Sequence, residues 1–250
     1  MSVQEPIIVH GQVEPVDILA FGPHPDDIEI GAAGSLLKWI GQGKKVGLVD
    51  LNRGELGTKG TAEERLEESR EAAIRLGATF RVNLALPDGS VMDDAPSREQ
   101  VVKVIRESRP KFVLSNLEEA HHPDHKAGAQ LVKSSYFLSR LPKFLIEVPA
   151  HSPSGLFYYL IHSLVTPTFL VDVTETFERK FEVMGAYHTQ FVEPKTPDGY
   201  QYTGIQDYLR NVRSLGEAWG VQAGCPAAEA FRADKPPIVE SLEDLIAKPD

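Results

Sequence analysis

The chain has 250 residues, 42% of them hydrophobic and 25% charged, the profile of one sizeable folded domain rather than a disordered or fibrous protein. Its 36 acidic and 26 basic residues give a net charge of -10, a poor match for a phosphate backbone, which argues against nucleic acid as a partner. The single cysteine, Cys225, precludes an intrachain disulfide, and no apolar run approaches the roughly 18 residues that span a membrane.

The N-terminal stretch MSVQEPIIVHGQVEP lacks basic residues and a long apolar core, so it is unlike a signal peptide, and a cytoplasmic location is expected. Residues 16–22 (VDILAFG) are short and apolar and read as a buried strand. A helical pattern follows over 28–42, with Gly43 suited to cap it. Residues 45–51 (KVGLVDL) read as a second strand, and the glycine-rich NRGELGTKG after it as an irregular loop. Thr61 and Glu64 form a capping box that opens a helix running to Gly77. A third strand is expected over 80–86. Ser97 with Gln100 predicts another capping box, for a helix that stops before Pro110, and 111–116 (KFVLSN) a fourth strand.

A helix is expected from Pro123 to about 139, then a long loop over 140–155 rich in proline and serine. Apolar runs at 156–161 and 168–173 suggest further strands. A helix over 174–187, a turn-rich loop over 192–204 and a last helix over 205–220 complete the pattern, with frayed final residues. Four alternations of strand and helix predict a doubly wound, Rossmann-like α/β fold with a mostly parallel sheet. The chain reads as one domain, 1–250: an α/β core over about 16–140 and a C-terminal elaboration over about 141–250.

Two segments carry chemistry. HPDDIE places His24, Asp26, Asp27 and Glu29 after the first strand; HHPDH places His122, Asp124 and His125 after the fourth. Each lies between a strand and a helix, where open α/β sheets bind ligands at the carboxyl ends of their strands. His24 and Asp27 are three positions apart, as are His122 and His125, so each pair can converge on one point. Histidine and carboxylate together can build a catalytic zinc site. A lone His-Pro-Asp is more often a turn, and Pro123 and Asp124 also suit a helix start. Two copies at two switches favour a metal centre. If the first and fourth strands are neighbours, the segments face each other.

FGPHPDDIEIGAAG together with HHPDHKAG resembles the LmbE-like (PIG-L) zinc deacetylases. DLNRGELGTKGTAEERLEESREAA, NLALPDGSV, AYHTQF and AEAFRADKPPI are similar to the bacillithiol-biosynthesis branch, so the resemblance runs from about residue 16 to about 240. It implies His24, Asp27 and His125 as zinc ligands, with Fe2+ or another divalent ion fitting the same set. It implies Asp26 as general base, His122 as oxyanion stabiliser or general acid, and Asp124 as the residue that orients His122. Protonation of the leaving amine falls to Asp26 or His122. Zinc lowers the pKa of bound water to about 7 and polarises an amide carbonyl, which suits these roles.

The resemblance further implies Arg65 and Asp88 as substrate-binding residues near the sugar, with Arg53 in the loop above. Their plain alternatives are a surface ion pair for Arg65 and a turn for Asp88-Gly89. Glu29 suits a partner for a ligand histidine. His188 is a candidate for the pocket wall. His10, His151 and His162 read as structural, and Phe157, Tyr158 and Tyr159 as strand core. The implied substrate is a small N-acetylglucosamine conjugate, N-acetylglucosaminyl-malate in this branch, for whose carboxylates Arg53, Arg65 and Lys59 are candidates. The loops at 140–155 and 192–204 are the expected source of selectivity against chitobiose-type and mycothiol-type substrates. A homo-oligomer, hexamers included, is implied as well. A non-haem iron oxygenase shares a two-histidine, one-carboxylate ligand set, and a sugar- or nucleotide-binding module shares the fold. The alternation of β and α disfavours the first. The lack of a G-x-G-x-x-G loop and the extra carboxylate of Asp26 disfavour the second.

Overall fold

The computed structural model describes residues 5–119, 122–161, 164–192 and 205–241. His162, the 193–204 part of the turn-rich loop and the last nine residues lie outside them. In chain order the elements are β1 (Ile7–Gly11), β2 (Ile18–Gly22), α1 (Asp27–Gly41), β3 (Val46–Asn52), α2 (Ala62–Leu76), β4 (Phe80–Leu86), α3 (Ala95–Ser108), β5 (Phe112–Asn116), α4 (Pro123–Leu138), β6 (Gly155–Tyr159), β7 (Phe169–Asp172), α5 (Phe177–Met184), a π-helical turn (His188–Val192), α6 (Ile205–Ala223) and β8 (Ala228–Ala233).

The strands form one sheet in the order β1-β4-β3-β2-β5-β6-β8-β7. The five central strands, β4, β3, β2, β5 and β6, are parallel. β1 pairs antiparallel with β4 at one edge, and β8 and β7 extend the other edge antiparallel. This is the doubly wound, mostly parallel sheet that the alternation of elements predicts. β2, β3 and β4 are buried at every position, as strands covered by helices on both faces must be. The apolar core divides into two large clusters. One joins α1 and α2 to residues such as Tyr159 and Tyr187; the other joins α3 and α4 to the opposite face.

The order places β2 beside β5, so their connections diverge to opposite faces of the sheet. The crevice of a doubly wound fold opens at that point, and both histidine motifs sit there.

Several local expectations change. The capping box of Thr61 and Glu64 is present, with both reciprocal hydrogen bonds, and α2 ends on Gly77 at φ 84°. The box at Ser97 is not. α3 starts earlier, with the Asp94 carboxylate accepting the Ser97 N–H and Pro96 in the first turn. The single helix expected over 174–187 stops at Met184, and a π-helical turn follows. β8 was hidden because its Glu229 looks like a surface residue. That carboxylate is buried, accepts the Gly34 and Ser35 N–H groups and pairs with Lys180 at 2.7 Å. β1 was hidden because it is a short, half-exposed edge strand.

The loop at 140–155 is not beside the crevice. Buried Arg106, at the end of α3, donates to the carbonyls of Ser139, Leu141, Leu145 and Val148. His151 Nε2 contacts the Pro110 carbonyl at 2.7 Å, and the Ser154 N–H donates to Lys111. These anchors precede β5, so the loop packs at the amino edge of the sheet, away from the site.

Candidate metal centre and active site

Four strand-to-helix connections supply the site. His24 to Asp27 follow β2, the 53–61 loop follows β3, Asp88 follows β4, and His122 to His125 open α4 after β5. Asp26 is the N-cap of α1, at φ 116° and with no side-chain cap bond. A left-handed backbone at a non-glycine residue is costly and is found where surrounding structure enforces it, often at active sites. Here it turns the chain sharply, so that Asp26 and Asp27 leave in different directions. His122 is the N-cap of α4: its Nδ1 accepts the Asp124 N–H at 3.2 Å, and Pro123 occupies the first helical position.

The three imidazoles gather closely. The His24 ring centroid lies 4.6 Å from that of His122 and 5.3 Å from that of His125. Asp27 Oδ2 is 3.2 Å from both His24 Nδ1 and His125 Nε2. On its other side His24 Nε2 is 3.2 Å from Asp88 Oδ1 and 3.6 Å from Asp124 Oδ2. Two overlapping donor sets result, His24 with His122 and His125, and His24 with Asp88 and Asp124, each with ligand atoms within 4.8 Å. Burial works against the His24 imidazolium, yet hydrogen bonds to Asp124, Asp27 and Asp88 outweigh it and raise its pKa to about 12. Burial likewise opposes ionisation of Asp27, but the His125 and His24 imidazoles hold it well below the usual carboxylate range. Asp88 is held at about 2 against burial, by His24 and the Leu56 N–H.

Either donor set fits a divalent metal. Imidazole nitrogens and carboxylate oxygens are the ligands of catalytic zinc, and the surrounding carboxylates favour a cation. His24 could present Nδ1 to the ion and hydrogen-bond through Nε2, the usual outer-shell arrangement of a ligating histidine. Asp27, 3.2 Å from His24 Nδ1 and His125 Nε2, adjoins the three-histidine set.

Asp26 is set apart from this group. Arg65 Nη2 donates to its Oδ2 at 3.0 Å and also to the Pro25 carbonyl. Burial pushes the Asp26 carboxyl up to about 7, against the pull of Arg65. Burial and the neighbouring His24 and His125 lower the pKa of His122, which is exposed at the mouth.

A cavity of about 330 Å³ joins these groups, lined by His24, Asp26, Arg65, Asp88, His122 and Gln190, with Leu56, Gly57, Gly89 and Pro123. The candidates from sequence divide accordingly. His24, Asp26, His122, Arg65 and Asp88 line the cavity, and Asp27 and His125 lie just behind. Arg53 does not line it; its Nε lies 4.0 Å from Glu55. The Asp124 carboxylate does not face His122. It accepts from Asn52 Nδ2 and from the Gly89 and Val91 N–H groups, and only its backbone meets His122. Glu29 is not beside a ligand histidine. It is fully buried against Arg81, with Tyr187 donating to it at 3.2 Å. His188 is exposed and away from the cavity, whereas Gln190, two residues later, lines it. Sequence reasoning missed Gln190 and Asn52. Nothing in a lone Gln or Asn marks it as functional.

Residues 19–136 match the model of the PIG-L family, described as GlcNAc-PI de-N-acetylase. Diacetylchitobiose deacetylase of Thermococcus kodakarensis is 29% identical over 230 residues, 86% of this chain and 82% of the relative. Among solved structures, the conserved protein TT1542 of Thermus thermophilus superposes with a TM-score of 0.80 at 34% identity, covering 90% of this chain and 97% of that one. N,N'-diacetylchitobiose deacetylase of Pyrococcus horikoshii gives 0.76 at 27% identity, covering 92% and 89%. The chain belongs to the PIG-L (LmbE-like) deacetylase family. It is an enzyme of that class, a hydrolase of linear amides.

Proposed function

We propose that this protein removes the acetyl group from an N-acetylglucosamine conjugate, using a divalent metal, most simply zinc, held by His24, Asp27 and His125. The observation that carries the proposal is the pairing of that donor set with a separate carboxylate. Asp26 lines the same cavity, is held by Arg65 rather than by the histidines, and has a pKa raised to about 7. A general base works best with a pKa near the operating pH. A bound metal supplies Lewis acidity toward the amide carbonyl and acidifies water. Asp26 takes the proton of the attacking water. His122, at the mouth, donates toward the oxygen that gains charge in the tetrahedral intermediate. The proton on the departing amine comes from Asp26 or His122.

Two conjugates fit this reading. N-acetylglucosaminyl-malate is suggested by the resemblance to the bacillithiol branch, and diacetylchitobiose by the named activity of the archaeal relatives. Malate needs a cation. Of the three candidates Arg65 alone lines the cavity, where it also bonds Asp26, while Lys59 contacts the carbonyl of the lining residue Gln190. A small-molecule substrate and a homo-oligomeric assembly belong to the same proposal. The test is metal content plus acetate release from a panel of N-acetylglucosamine conjugates, with Asp26→Asn as control. We expect zinc-loaded protein to release acetate from at least one of them. Loaded protein that is inert on all of them sinks the proposal, and oxygen uptake by iron-loaded protein would replace it with the oxygenase reading.

A further inference from the structure

We propose that Gln190 is a substrate-binding residue whose Oε1 accepts a hydrogen bond from a hydroxyl of the sugar, which makes it a determinant of specificity for the carbohydrate rather than for its aglycone. The inference rests on the substrate being an N-acetylglucosamine conjugate. Gln190 comes from the C-terminal part of the chain, far in sequence from the histidine motifs, yet it lines the same cavity as His24, Asp26, Arg65 and His122.

The orientation of its amide follows from its partners. The group 2.8 Å from the Lys59 carbonyl must be the NH2, because a carbonyl oxygen can only accept. The second N–H goes to Thr189 Oγ1 at 3.0 Å. Thr189 Oγ1 can accept it because its own hydrogen goes to Glu68 Oε2 at 2.9 Å, while the Thr189 N–H donates to Glu68 Oε1 at 2.6 Å. Both donors of Gln190 are therefore spent within the protein. Oε1 is not: among the described residues nothing donates to it.

The segment is built to hold this side chain in place. It forms a π-helical turn, a rare conformation that recurs at functional sites. Gly60, at φ 66°, lets the 53–61 loop approach closely; a Cβ there would stand 2.7 Å from Thr189 Oγ1. The loop and the turn are thus clasped together across one wall of the cavity, and both contribute to its lining through Leu56, Gly57 and Gln190. A neutral acceptor recruits a hydroxyl or N–H donor. A carboxylate brings no proton to it, so an acidic aglycone gains nothing from Gln190.

The test compares zinc-loaded wild type with Gln190→Met and Gln190→Lys, on a conjugate that the wild type deacetylates and on its monodeoxy-sugar analogues. Gln190→Lys keeps a donor for the Lys59 carbonyl and removes the acceptor, so it serves if Gln190→Met fails to fold. Loss of one neutral hydrogen bond corresponds to roughly a 10-fold effect. We expect KM to rise about that much in both variants, with kcat and metal content little changed. One deoxy analogue should cost the wild type a similar factor and the variants nothing further; a purely structural role would not produce that non-additivity. Unchanged KM, or equal penalties for every analogue in wild type and variants, overturns the inference while leaving the deacetylase reading intact. A wild type that releases no acetate from any conjugate overturns both.

Discussion

The Arg65 guanidinium and the Asp26 carboxylate meet at 3.0 Å, both nearly buried, and the same Arg65 nitrogen bonds the Pro25 carbonyl. This contact fixes the Asp26 carboxylate beside the histidine cluster. It also tunes the base. Burial alone would drive the Asp26 pKa higher than about 7; the positive charge of Arg65 brings it down. Removing that charge must therefore raise the pKa. Asp26 acts as a base only when ionised, so the acid limb of kcat/KM in Arg65→Met should move to higher pH. Carboxyl carbon NMR of the metal-free protein gives an independent reading. Its Asp26 midpoint should lie near 7 in wild type and higher in the variant. A midpoint that stays put or falls contradicts the assignment.

Asp26 and Asp27 are adjacent but should fail differently. Asp26→Asn leaves the His24, Asp27 and His125 donors in place, so metal content should persist while kcat falls by roughly 10²- to 10⁴-fold, the range for loss of a general base. Asp27→Asn removes the carboxylate that stands 3.2 Å from both His24 and His125, so bound metal itself should be lost. Metal analysis after gel filtration separates the two outcomes. Equal metal loss in both variants would mean that Asp26 is a ligand and not a free base.

His122 should show the signature of an oxyanion donor. His122→Ala is expected to lower kcat by about 10²- to 10³-fold with KM little altered. A large rise in KM with unchanged kcat would place His122 in ground-state binding only.

The sheet and the two histidine motifs were legible because both depend on local pattern. Apolar strands alternate with amphipathic helices, and two His-Pro-Asp turns fall at the switches. The contacts that orient the site were not legible, because each depends on a partner remote in sequence. Asp124 could be matched with His122 by proximity along the chain, yet its carboxylate is taken up by Asn52, Gly89 and Val91. Glu29 looks like a helix-start charge or a partner for a ligand, and only the packing of β3, β4 and the segment after α5 shows it buried with Arg81 and Tyr187. Gln190 reaches the cavity only because the chain leaves α5 through a π-helical turn, which no side-chain periodicity announces.

That hidden ion cluster gives a stability prediction. Arg81 is fully buried, bonds Asp50 through two nitrogens at 2.7 and 2.6 Å, and also contacts Glu29. Arg81→Met leaves two carboxylates buried without their cation, a loss of about 3–5 kcal/mol. The sign of its pH dependence follows from burial. An unpaired buried carboxylate has a folded-state pKa above its unfolded value, so the folded variant binds protons that the unfolded chain has released. Its deficit should grow as pH rises above the unfolded carboxylate range and shrink as pH falls. Urea denaturation at pH 5 and pH 8 checks this. A deficit that is larger at pH 5 refutes the account.

Lys59 decides between the two conjugates. Its ammonium lies 3.5 Å from the carbonyl of Gln190, a residue of the cavity wall. Burial lowers its pKa, while the charge of Asp26 draws it back up, which places Lys59 within the field of the site. Lys59→Met keeps the backbone carbonyl that orients Gln190 and removes the charge together with the long contact to the Gln190 carbonyl. If the aglycone is malate, KM for the malate conjugate should rise roughly 10- to 100-fold, the worth of a charge-assisted hydrogen bond, while KM for diacetylchitobiose stays within about 2-fold because that substrate carries no carboxylate. Steady-state acetate release on both compounds measures it. Equal behaviour of the two substrates in wild type and variant would remove Lys59 as the carboxylate receptor. Arg65, which lines the cavity beside Asp26, would then be the cation left for the malate carboxylates.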